Sequence, residues 1–65
     1  MSKYPDIEVQ LTGEDGNAFV ILGAVDLALK RAGIDADERG EFQAEATADD
    51  YDHLLRTCMA WVNVQ

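Results

Sequence analysis

From Ala18 to Ala32 the chain carries one carboxylate, Asp26, and no cation before Lys30, so any fold must be built around this stretch. Asn17 is a natural N-cap for a helix here, and Gly33 stands where a glycine would end it. Lys30 and Arg31 fall in the last turn, where the helix dipole favours positive charge. At 100° per residue, Ala18, Ile21, Leu22, Val25, Ala28, Leu29 and Ala32 share one broad apolar face, which predicts a core contact. Val20, Gly23, Ala24 and Leu27 form a second stripe on the opposite side, closed off by Arg31. An ordinary surface helix is polar there. The stripe requires a cover: other elements of the same chain, a second copy, or a different protein. Small residues at Gly23 and Ala24 would let another backbone approach closely, while Val20 and Leu27 supply apolar area. These four residues are the candidate interface.

The flanking segments are less apolar. Met1–Pro5 is a short polar lead expected to fray. In Asp6–Leu11, Ile7, Val9 and Leu11 alternate with polar residues, the period of a half-buried strand. Gly13–Gly16 then predicts a turn. Asp35 is placed to cap a second helix, with Glu38 as its capping-box partner. That helix has a thin apolar face of Phe42 and Ala46, and Gly40 costs it about 1 kcal/mol against alanine. A turn near Thr47–Asp49 leads to a third helix in which Tyr51, Leu54, Leu55 and Cys58 recur at helical spacing. Trp61–Gln65 reads either as a last helical turn or as a short strand. As a strand, its natural mate is Ile7–Leu11, because a lone strand leaves its backbone groups unpaired. The expected architecture is one small domain over residues 1–65: mainly helical α+β, in the order β-α-α-α-β.

Charge and composition exclude several function classes. Thirteen acids face five Lys or Arg, for a net charge of −8, while 48% of the residues are apolar. That is too apolar for a disordered acidic tail. Direct nucleic-acid binding needs clustered cations, and only Lys30 and Arg31 are adjacent. One cysteine and one histidine cannot build a Cys/His zinc site or a disulfide framework. No run approaches the roughly 20 apolar residues of a membrane span, nor is there a signal-like N-terminus, so a cytoplasmic location is expected. The acids Asp35, Asp37, Glu38, Glu41, Asp49, Asp50 and Asp52 predict an acidic surface. Such a body could occupy the basic groove of a nucleic-acid enzyme or defence complex as a mimic, or the charge could serve solubility alone.

Motifs for chemistry are weak. Gly13–Asn17 sits between strand and helix but has neither phosphate-loop spacing, and Glu14 and Asp15 would repel phosphate. Asp35–Gly40 opens like a calcium loop, then fails with Arg39 at the fifth position and Ala46 where a bidentate glutamate is needed. Asp49, Asp52 and His53 form the one cluster that could carry a metal or catalytic role, and Asp49 and His53, four apart, could pair on one helix face. A metal would need further ligands from elsewhere. Cys58 falls on the apolar face with Leu54 and Leu55, where a buried, inert thiol is the default. No enzyme activity and no cofactor is therefore expected. The reading is a non-enzymatic interaction protein with a protein partner, most simply a homodimer.

LTGEDGNAF at Leu11–Phe19, ALKRAG at Ala28–Gly33, EATADDYDHLL at Glu45–Leu55 and CMAWVNV at Cys58–Val64 together resemble a group of small uncharacterised proteins of bacteriophages, prophages and bacterial genomes. The DGNAF and EA-x(3)-DYD-x-LL segments carry most of the likeness. The sequence departs from the group around Arg39–Glu41, where an apolar residue is expected before Phe42. The resemblance implies no activity, cofactor or catalytic residue. It implies a short accessory protein of mobile-element type, a setting in which small inhibitors of host proteins are common.

Overall fold

The computed structural model describes residues 2–10 and 18–65. Its elements run β1 (Tyr4–Val9), α1 (Ala18–Arg31), α2 (Ala36–Ala46), α3 (Tyr51–Trp61) and β2 (Val62–Val64). Among the described residues the fold is therefore mainly helical α+β, in the order read from the sequence. The ambiguous C-terminus resolves as helix up to Trp61 and strand from Val62. β2 lies parallel to β1, so the three helices together form the long crossover that a parallel pair requires. The Gly13–Gly16 turn and the Asn17 cap lie outside the described residues.

Helix ends follow local chemistry. Gly33 adopts φ +89, the left-handed region that glycine enters at little steric cost. Its amide donates to Lys30 O and that of Ile34 to Leu29 O, the paired bonds of a Schellman motif. Asp35 caps α2 by accepting from Glu38 N at 2.9 Å, and Asp50 caps α3 by accepting from His53 N at 2.9 Å. The reciprocal half of the α2 capping box is not what Glu38 provides. Its carboxylate accepts instead from the Tyr4 hydroxyl and pairs with Lys3 at 2.6 Å. Arg39 pins the α1–α2 junction: its Nε donates to Ile34 O, and its guanidinium meets Asp26 at 3.4 Å.

The core draws on every element: Val9, then Ile21, Val25 and Leu29, then Phe42 and Ala46, then Leu54, Cys58 and Trp61, and finally Val62. The thin face of α2 is thus its whole buried contribution. Thr57, polar by type, is also buried, and its hydroxyl returns to His53 O at 2.8 Å. Strand alternation holds for Ile7 and Val9 but not for Tyr4, which also packs inward. The cause is an irregular register: β1 advances from Tyr4 to Glu8 while β2 advances only from Val62 to Asn63.

The polar lead is part of this arrangement from Lys3 onward. Lys3 N donates to Ala60 O at 2.7 Å, and its ammonium lies 4.2 Å from the Trp61 ring centroid. Phe42 meets the same indole edge-on at 5.4 Å, and Tyr4 is tilted against it at 6.0 Å. The indole N–H donates to Glu45 on α2. Trp61 therefore ties both chain ends to α2.

Candidate functional site

Among the described residues, no other element covers the outer face of α1 at Val20, Gly23 and Leu27. Val20 is 64% exposed and Leu27 46% exposed. Between them Gly23 is open: a Cβ built there would meet nothing within 4 Å. Ala24 is the member of the stripe that turns partly inward, half-buried against the core. Phe19 is 84% exposed on the flank of the same helix. At the C-terminal end Lys30 and Arg31 are exposed, while the flanking Asp26 is engaged by Arg39. The result is a strip along a 14-residue helix with a cationic end on an otherwise acidic body.

The Asp49–His53 cluster is committed to local structure. Asp49 Oδ1 accepts from Asp50 N, and Asp50 Oδ1 caps α3. The expected Asp49–His53 pairing is replaced by a contact between the His53 ring and the α2 terminus, with Nε2 2.8 Å from Glu45 O. A carbonyl only accepts, so Nε2 carries the proton in this bond. Among the described residues no three His, Cys, Asp or Glu side chains gather as metal ligands. Cys58 is fully buried, and desolvation pushes its thiol up to about 11. At neutral pH the unreactive thiol form dominates. Ellman's reagent is thus expected to label Cys58 only as fast as the protein opens, with immediate reaction in denaturant; rapid labelling of the folded chain would contradict this placement.

The acidic residues divide in two. Asp35, Asp37, Glu41, Asp49, Asp50 and Asp52 are exposed, whereas Glu38 is half-buried. Hydrogen bonds from Lys3 and Tyr4 hold its carboxyl below the ordinary value of 4.5. The same contact with Glu38 raises the Lys3 ammonium above 10.5 and the Tyr4 phenol above 10.0. The signs fix the pH profile. Stabilisation from a depressed Glu38 is complete above 4.5 and disappears as pH falls through its folded-state value. Stabilisation from the raised Lys3 and Tyr4 is complete below about 10 and disappears as pH rises through theirs. Urea midpoints followed by Trp61 fluorescence should trace a plateau with both limbs, and Glu38→Gln should flatten both. Limbs that survive Glu38→Gln unchanged would remove this trio as their cause.

A second apolar feature lies between the starts of α1 and α3. It is a depression of about 220 Å³ with Leu22, Ala46 and Leu54 at its base and Phe19 and Tyr51 beside it. Sequence reading singled out neither Phe19 nor this groove, because the groove joins residues about thirty apart. No helix of the described residues is long and apolar enough to cross a membrane. Comparison of the chain with protein-family models, curated proteins and solved structures finds no match.

Proposed function

We propose that the protein is a small, acidic, non-enzymatic interaction module that acts by contact through the outer face of α1, self-associating there as a homodimer. The observation that carries this reading is the exposure of Val20 and Leu27 on either side of an open Gly23. A helix of 14 residues is about 21 Å long, which limits the area one such strip can bury. It falls in the small-interface class, so association is weak and responds to concentration. Closing surface between copies also adds stability, by mass action, to a chain too short to bury a large core. The resemblance noted above fits an accessory protein of a mobile element, working through protein contact in the cytoplasm.

Dilution followed by two-dimensional NMR tests the reading residue by residue. Amide and methyl signals of Val20, Gly23, Ala24 and Leu27 should move with concentration while those of α2 stay fixed. Shifts absent everywhere, or confined to α2, would remove α1 as the contact.

A second reading has its own observation. Asp35, Asp37 and Glu41 line, with Glu38 and Tyr4, one open depression of about 530 Å³. Such a concentration of carboxylates on a body of charge −8 suits occupation of a basic nucleic-acid groove, as an inhibitor of a host enzyme or defence complex. Partner capture that weakens steeply with salt favours this reading; capture indifferent to salt favours the apolar face.

A further inference from the structure

We propose that the groove between the starts of α1 and α3 docks a basic segment of a partner protein, taking one large apolar side chain flanked by lysine or arginine. This surface differs from the outer face of α1. Leu22 and Leu54 belong to its base, on the core side of their helices, and Val20 and Leu27 do not line it. Its size selects the occupant's scale. At about 220 Å³ it is smaller than the roughly 300–1,000 Å³ of small-ligand pockets, and suits a single side chain of the kind that anchors protein interfaces.

Charge selects the occupant's chemistry. Among the described residues, Asp49 and Asp50 are the charged ones lining the groove and no cation lines it, and Asp52 follows in the first turn of α3. Asp49 and Asp50 each use Oδ1 for a backbone amide, and their Oδ2 atoms have no protein partner among the described residues. The α3 dipole works against a cation here, but at about half a charge it is outweighed by three carboxylates. An apolar socket with an anionic rim complements an apolar anchor set among cations. A second copy of this chain is a poor occupant. Its one adjacent cation pair is Lys30–Arg31; Leu29 beside that pair is fully buried, and the exposed leucine one turn away, Leu27, is already taken up in the proposed contact between α1 faces. The occupant is therefore a different protein.

Selection of random short peptides from a displayed library against the immobilised full chain tests the proposal, with fluorescence anisotropy on the winning sequence. The expected winners carry one Leu, Ile, Phe or Trp among Lys or Arg. Their affinity should fall about tenfold or more with the double variant Asp49→Asn, Asp52→Asn, and likewise with Tyr51→Ala, and stay unchanged with Leu27→Glu. Circular dichroism confirms that each variant is folded, and the two groove variants are independent of one another. Absence of any enriched pattern, enrichment of neutral or acidic peptides, or binding lost with Leu27→Glu but not with the groove variants would each overturn the proposal.

Discussion

Phe42→Ala is expected to remove a large share of the chain's stability. Phe42 is fully buried, packs edge-on against Trp61 at 5.4 Å, and with Ala46 makes up all that α2 gives to the core. Removing a buried phenylalanine costs about 3–5 kcal/mol, through lost transfer energy and the cavity left behind. A domain of this length has roughly 3–10 kcal/mol in total. Neighbouring side chains have little scope to close the gap, since Trp61 is already held by Glu45 and lies against Lys3 and Tyr4. Urea titration by far-ultraviolet circular dichroism should show the Phe42→Ala midpoint far below that of the wild type, with Phe42→Leu between the two. A Phe42→Ala chain unfolding at the wild-type midpoint would mean that α2 is not anchored as described.

That anchor was visible in the sequence, whereas its surroundings were not. The Gly33 stop and the Asp35 cap are local patterns, set by residues within a turn or two of one another, and they form as read. Of the expected α1 face, Ile21, Val25 and Leu29 are buried and Ala18, Leu22 and Ala28 pack on the core, while Ala32, past the end of the helix, is exposed. Phe42 and Ala46 were likewise the apolar members of α2. What the pattern could not carry is non-local. Val62–Val64 reads from its spacing as either a last helical turn or a short strand, and its pairing with Tyr4–Val9 decides for the strand. The cage around Trp61 joins Lys3, Tyr4, Phe42 and Glu45, positions that share no periodicity. It also turns the polar lead from Lys3 onward into structure.

The candidate surfaces divide along the same line. Val20, Gly23 and Leu27 could be placed on one stripe from spacing alone, but whether the chain covered them depended on where α2 and α3 lay. The structure leaves Val20, Gly23 and Leu27 exposed. The groove beside Phe19 and Tyr51 depends on how α1 meets α3, which no window of sequence contains. His53 shows the converse. Four residues from Asp49, it invited a pairing, yet its ring spans to the α2 terminus because the Glu45 carbonyl lies within reach.

The second large effect concerns association. Leu27 lies half-exposed on the outer face of α1 and outside the core, so Leu27→Glu should leave the fold intact. In a homodimer built on that face it would bury a carboxylate between two apolar strips, each on a body of charge −8. Loss of a central contact is worth about 2 kcal/mol or more, roughly thirtyfold in dissociation constant, and desolvating the new charge adds to it. Sedimentation equilibrium of the wild-type chain and of Leu27→Glu at matched concentrations measures this directly. The wild type should rise toward dimer mass with concentration, and the variant should keep monomer mass throughout. Monomer mass for both, or equal dimerisation of both, would contradict association through this face.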